Sequence, residues 1–447
     1  MAIYHVDNSG ADGDGSEGSP WNNIAGHIGL SGGDLMYIRG DAAPGRVYTE
    51  AQITCANSGS SGDGNDIVLM PYPGEYAIIQ SSGVSSTILR VEGDYWTFDG
   101  LKFDGNGYDT NRHIWLYGCS HIDILNCESW ENGGDAAFEF ADGNNPASYV
   151  TIDNCTIYNT YKADDADSAG IGGGAGSYID ITNNTIYDCR GDCVVFWHIV
   201  DGTVTYLLVE DNHLYTTLGK CSENAVDLKR GTDVTIRGNI MHGFRYCDAT
   251  CGGSSGGIGE AMLTHNECDD ALIEDNLIYD CASGISIWSN TDEVIIQHNI
   301  IRDLVTDGAT WLNAGIYIHA NAGHDVKIYN NTFHELPQHL FYLGEGADTI
   351  IRNNICDETH DIYEDVAVNS VDADYNGWYN VVDSIVGAHD TTGSDPSFRD
   401  EGNNDYHIRR GSSAVNAGVD VGLDYIGSAP DLGAYEHRRL MIAGVWA

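Results

Sequence analysis

The chain has 447 residues and carries 67 Asp plus Glu against 20 Lys plus Arg, a formal charge of -47, which excludes nucleic-acid binding by phosphate neutralisation. Hydrophobic residues make up 42%, but no run is long enough to cross a membrane, and twelve Cys spread over this length do not make a disulfide framework. A solvated acidic surface suited to high salt accounts for most of the charge excess.

The opening MAIYHVDNSGADGDGSEGSPWNNIAGHI reads as a strand, an acidic turn and a short amphipathic helix, so residues 1–50 are expected to supply an N-terminal strand and capping helix. Its DNSGADGDGSEG stretch lacks the spacing and closing Glu of an EF-hand loop. No cationic, apolar export signal opens the chain, so either such a signal was removed or none was used, and an extracellular, secreted or virion-associated location is expected.

From about residue 90 to 358 a phrase V-x-I-x-[DN]-[NC]-x-I returns, as in VTIDNCTI from Val150, IDITNNTI from Ile179, VIIQHNII from Val294 and VKIYNNTF from Val326. Its sixth positions are Cys127, Cys155, Asn184, Asn212, Asn239, Asn276, Asn299, Asn331 and Asn354, separated by 23 to 37 residues. Val, Ile and Thr alternate with period two and are broken at each step by Gly, Asn and Asp, which argues against helical repeats. An elastic period of this length predicts an all-β, single-domain right-handed parallel β-helix of about ten coils spanning 1–447. The Asn column is expected at a bend, each amide bonded to the next along the axis. Cys127 and Cys155 share that position and should stack inside, while Cys189 with Cys193 and Cys247 with Cys251 are spaced to pair. From 359 to 447 the repeat decays into irregular last coils ending in DLGAYEH and an unassigned tail.

A second strand phrase carries the chemistry. Five-residue windows FEFAD from Phe138, IGGGA from Ile171, VFWHI from Val195, VDLKR from Val226, MLTHN from Met262, ISIWS from Ile285, IYIHA from Ile316 and FYLGE from Phe341 place mostly apolar residues at positions one and three. Positions two and four then face outward. The second includes Glu139, Phe196, Asp227, Tyr317 and Tyr342, and the fourth His198, Lys229, His265, Trp288 and His319. Only five Lys exist in the chain, so one between two His is informative. Three residues before each first position stand Asp135, Ser168, Asp192 and Glu223. Acids stacked at about 4.8 Å repel one another unless a cation intervenes, so Glu223, Asp227 and Asp192 are the expected Ca²⁺ ligands; the competing reading is that they cap turns. The interval from Asn239 to Asn276 is the longest, and its surplus GFRYCDATCGGSSGG predicts a loop walling this face, with Arg245 on it. Trp288, Tyr317, His319, Tyr342 and Glu139 are the expected substrate-binding residues.

The stretch ENAVDLKRGTDVTIRGN, Glu223 to Asn239, resembles the calcium-and-lysine coil of the β-helical polysaccharide lyases that include alginate lyases and chondroitinase B. The resemblance implies an acidic Ca²⁺ ligand near Glu223 and an outward Lys, here Lys229, that takes the C5 proton of a uronate. That family's next coil carries L-T-L-R-H, where this chain has His265 in MLTHN, and Arg245 is expected to stand in for the absent Arg. The implied function is calcium-assisted β-elimination on an anionic polysaccharide, with Lys229, His265, His198 and Arg245 as catalytic candidates. Two other readings stand beside it. One is a β-helical hydrolase or phage-tail depolymerase using Glu139, Asp192 and Asp227; the other is a non-catalytic glycan-binding fibre. Monomer and trimer remain open.

Overall fold

A computed structural model describes residues 1–437 except 63, 84–85, 108–109, 163–167, 198–201, 221, 246–258, 266, 289, 307–312, 320–324, 345–347, 365–370, 383–386 and 394. The chain falls into two compact units, the first comprising 1–235 with 246–259 and the second 236–245 with 260–447. Among the described residues the only helical turn is Glu401–Asn403, and no helix is long and apolar enough to cross a membrane.

Both units are built from coils of short strands that pair in parallel with their counterparts one coil on. In the first unit, Ser120–Leu125, Ala147–Asp153, Gly176–Thr182 and Val204–Glu210 form one such ladder. Glu128–Trp130, Thr156–Tyr158, Thr185–Tyr187 and His213–Tyr215 form a second. Thr110–Leu116, Ala136–Phe140, Ala169–Gly173, Val194–Phe196 and Asn224–Leu228 form the third. The second unit repeats the plan, for example with Glu260–Thr264, Ser283–Ile287 and Ala314–Ile318. Early rungs such as Ile3–Val6, Leu35–Ile38 and Ile67–Pro71 lack the Asn phrase and join the same parallel ladder, so counting phrases undercounts coils.

The phrase encodes a bend. Its fifth position takes the left-handed conformation at Asn154 (φ 52°), Asn183 (φ 55°), Asp211 (φ 54°) and Asp275 (φ 56°), which Asn and Asp tolerate best among residues with a Cβ. The sixth turns its amide inward. Asn184 Nδ2 donates to Asn212 Oδ1 at 3.0 Å in the first unit. In the second, Asn276 donates to Asn299, Asn299 to Asn331 and Asn331 to Asn354 at 2.9 to 3.1 Å. Spare amide protons go to strand carbonyls, as from Asn299 Nδ2 to Ile273 O at 2.9 Å. Because these groups are shielded from water, cutting one link leaves donors and acceptors unpaired. Asn299→Ala should therefore cost about 3 kcal/mol in urea unfolding; a loss below about 1 kcal/mol would mean that the amide column contributes little beyond its backbone turns.

Two expectations need correction. The capping helix does not form: Trp21 makes a β-bridge to Val6 and residues 25–27 form a turn, the Glu50 carboxylate accepts from Ile24 N and Ala25 N, and Asn23 Oδ1 accepts from Gly26 N, so side-chain polar groups satisfy the backbone in place of a helical ladder. Cys189 and Cys193 are buried free thiols rather than a disulfide, as are Cys127 and Cys155. Cys247 and Cys251 lie outside the described residues.

Candidate functional site

In the third ladder of the first unit, register pairs Glu139 with Gly172, Gly172 with Val195 and Val195 with Asp227. This differs by one residue from the sequence expectation. Val195, not Phe196, holds the second position in register with Gly172 and Asp227, and both side chains are buried. Trp197 takes the fourth position, its N–H bonding to Gly173 O at 2.8 Å as Lys229 N bonds to Phe196 O at 2.9 Å. Trp197 therefore shares the Lys229 column, and His198 lies outside the described residues. The apolar run Val194, Val195, Phe196, Trp197 has no polar residue to mark which face is which.

The outer face so defined has three parts. At one end Arg112 Nε lies 2.6 Å from Glu139 Oε2 and Lys162 Nζ 2.5 Å from Asp135 Oδ1, while the Arg90 and Arg112 guanidinium groups lie 4.6 and 4.9 Å from the Trp115 ring. In the middle Ala136, Ala169 and Val195 pack together with Trp197 against them, beside the bare backbone of Gly172. At the other end stand Asp192, Glu223, Asn224, Asp227 and Lys229. Asp192 and Asp227 are only 3% and 2% exposed. Lys229 Nζ lies 3.2 Å from Asp227 Oδ2, and Asn224 Nδ2 donates to Asp192 Oδ1 at 2.9 Å. The corrected register places Asp192 beside Asn224, one residue off the expected column of Glu223.

Electrostatics sharpen this end. Burial first, then Asp227 and Glu223, push the Asp192 carboxyl well above the usual carboxylate range. Burial works to lower the Lys229 ammonium, but Asp227, Asp192 and Glu223 together outweigh it and the net shift is upward. The three acids thus act on one Lys, which makes an ion pair with Asp227. Their donors are all oxygen, the set a hard divalent cation prefers.

At the opposite end Glu139 is raised to about 7, burial outweighing the neighbouring Arg112, whose contact is close but poorly aligned for a hydrogen bond. A carboxyl whose folded pKa exceeds its unfolded value keeps its proton longer in the folded state. The protein should accordingly lose stability as pH rises from about 4.5 to about 7. Glu139→Gln should flatten that segment of the Tm against pH curve; an unchanged slope would assign it to other groups.

The second unit carries its own outward strip. Trp288 N bonds to Thr264 O and His319 N to Ile287 O, which sets His265, Trp288 and His319 in one column as expected. Their rings stack, His265 on Trp288 at 5.7 Å and Trp288 on His319 at 4.7 Å. Both indole faces are therefore covered by imidazoles, and Trp288 offers an edge rather than a platform. Tyr317 is 2% exposed, packed on Tyr342 at 4.7 Å, so its expected direct contact with substrate is not available. Ser286 Oγ and Trp288 Nε1 are shielded polar atoms without a hydrogen-bond partner among the described residues, and neither was anticipated as a donor. Arg245 pairs with Asp280, which holds its guanidinium back from the free loop position predicted for it, while loop residues 246–258 lie outside the described residues.

The trio that sequence reading missed is His334, Asp357 and Glu401, each bringing a ligand atom to within 4.8 Å of the others. Asp192, Glu223 and Asp227 do not meet that criterion among the described residues. His334 Nδ1 lies 3.1 Å from Asp357 Oδ2, and its ring meets Phe398 and Tyr406 edge-on. His334 pairs with Asp357, with Glu401 beside them, an arrangement that also serves as an ion pair between neighbouring strands.

The family model for the right handed beta helix region matches residues 112–245, 169–356 and 259–394. Sequence comparison with curated proteins gives no match. Among solved structures the chain is similar to a PL6 alginate lyase in complex with a trisaccharide, at 13% identity over 88% of each chain with a TM-score of 0.53. It is similar to XylC in complex with xylose, at 11% identity over 89% of this chain and 87% of that one, TM-score 0.52. A third is an alginate lyase from Paenibacillus sp. str. FPU-7, at 13% identity over 72% and 95% of the two chains, TM-score 0.50. At these identities the likeness is one of fold.

Proposed function

Since the chain belongs to the right-handed β-helix family, a fold that polysaccharide lyases use, we propose that it is a lyase cleaving a uronate-containing polysaccharide by calcium-assisted β-elimination. The observation that supports this best is the Lys229 ammonium 3.2 Å from a buried Asp227 carboxylate, with Asp192 and Glu223 acting on the same charge. Elimination requires that the substrate carboxylate be neutralised, the C5 proton removed and the leaving oxygen protonated. Calcium, held by Asp192, Asp227 and Glu223, would neutralise carboxylates of substrate and protein alike. Lys229 in its neutral form takes the C5 proton; the C4–O bond breaks, its electrons leave with oxygen, and C4=C5 forms. The surrounding acids alone hold Lys229 protonated, so this chemistry needs their charge offset. His265 as proton donor, with Arg245 and His198 as further candidates, rests on sequence position. Glu139, Trp288, His319 and Tyr342 are proposed substrate contacts, and Trp197 joins them as an aromatic on the apolar floor. The partner is an anionic polysaccharide met outside the cell.

The hydrolase alternative loses Glu139 with Asp227 as its acid and base pair, though not Asp192 with Asp227, whose carboxyls act on one another. Glu139 and Asp227 stand three rungs apart in one column, about 14 Å, whereas paired glycosidase carboxylates lie about 5 to 9.5 Å apart. A screen of alginate, pectate, chondroitin and ulvan with and without EDTA tests the reading. Ultraviolet absorbance should appear with one of them and vanish with EDTA. Chain shortening without absorbance would support hydrolysis, and no shortening a binding role.

A further inference from the structure

In the first unit, on the ladder that runs from Trp96–Asp99 to Val204–Glu210, a second column of left-handed bends precedes each strand core. It is occupied by Tyr95 (φ 59°), His121 (φ 57°), Tyr149 (φ 54°), Tyr178 (φ 55°) and Tyr206 (φ 53°). Bulky side chains are outliers at such φ values, and this chain shows what it uses when only the turn matters: Asn126, Asn154, Asn183 and Asp211 at the neighbouring bend, and Asp233 (φ 55°) after Tyr206. Strain accepted on five successive coils calls for a return. Part of it is mutual stacking, with ring centroids 4.4 to 4.7 Å apart. Stacking alone would be served by buried rings, yet Tyr149, Tyr178 and Tyr206 are 50%, 44% and 49% exposed.

These rings line a groove of about 720 Å³ that also contains Asp66, Asp123, Thr151 and Asp180. Burial raises the Asp123 carboxyl, Thr151 opposing the shift and Asp66 adding to it, and burial likewise raises Asp180. We propose that this groove is a binding site for an uncharged polysaccharide, distinct from the Lys229 face, in which the ring edges and phenol hydroxyls of the ladder pack along the sugar chain and Asp66, Asp123 and Asp180 accept its hydroxyl protons. The three carboxylates repel a polyuronate. Tyr178 has both ring faces covered, by Tyr149 and Tyr206, so a sugar chain meets mainly ring edges and hydroxyls there. A neutral glycan fits this lining through hydrogen bonds to the carboxylates, and the chitosan hexamer tests a cationic sugar against it.

The decisive variant replaces Tyr149 and Tyr178 together with asparagine, the residue this chain itself uses at the neighbouring bend. Cellohexaose, xylohexaose and mannohexaose are titrated calorimetrically into the full chain, alongside hexaguluronate and a chitosan hexamer. At least one neutral hexamer should bind, and the double variant should bind it about tenfold more weakly with Tm unchanged or raised. Absence of neutral binding, preference for the acidic or the cationic hexamer, or unchanged binding by the double variant at any Tm each overturns the proposal. If Tm and binding fall together, Asp180→Asn at native Tm decides: weakened neutral binding upholds the site, and unchanged binding overturns it.

Discussion

Replacing Lys229 with arginine is expected to lower kcat on the preferred uronate polymer about 10²-fold to 10⁴-fold, with KM and Tm nearly unchanged. Arginine keeps the positive charge that Asp227 meets at 3.2 Å, so the buried carboxylates stay paired and the fold is not penalised. What it removes is the capacity to exist as a neutral base, because a guanidinium does not lose its proton in the working pH range. Lys229→Ala would be a poorer experiment, since it strands Asp227 and Asp192 and confounds chemistry with stability. A kcat for Lys229→Arg within about threefold of wild type would show that this side chain only attracts the polymer and that proton transfer happens elsewhere.

The second large effect is expected from calcium. With ligand at one hundred times its Kd, a site that exists only in the folded chain adds about 2.7 kcal/mol, so Tm should rise on adding calcium and fall back with EDTA. Asp227→Asn should abolish both the Tm response and the calcium dependence of kcat, and Asp192→Asn should do the same, because each removes one of two buried carboxylates bearing on Lys229. Glu401→Gln serves as the internal control: it alters the other carboxylate cluster, and a calcium response lost there rather than at Asp227 would move the metal to His334, Asp357 and Glu401.

The coil architecture was legible because one physical device recurs in the sequence without disguise. An Asn or Asp that accepts a left-handed bend, followed by an amide that turns inward, leaves the same two letters on coil after coil, and Asn276, Asn299 and Asn331 bond to their neighbours as that pattern requires. The site was legible where polar residues fix the phase of a strand, as in VDLKR, where Asp227 and Lys229 fall on the outer face. It failed where they do not. The run from Val194 to Trp197 slipped by one residue, which hid Trp197, turned buried Phe196 outward and misplaced Asp192 by one position. Burial was the other blind spot: Tyr317 alternates correctly, yet packing against Tyr342 covers it, and only three-dimensional contacts carry that information. The capping helix was lost to Glu50, a carboxylate 26 residues away from the Ile24 N–H it accepts.

Elimination and hydrolysis differ by one water for every bond cleaved, so the mass of the products tests the central claim most directly. A purified uronate hexamer is digested to completion and its fragments weighed. For a lyase the fragment masses add up to that of the hexamer, and each new non-reducing end carries the C4=C5 double bond. If instead each cleavage adds one water and no unsaturated end forms, the protein is a hydrolase and Lys229 is not its base.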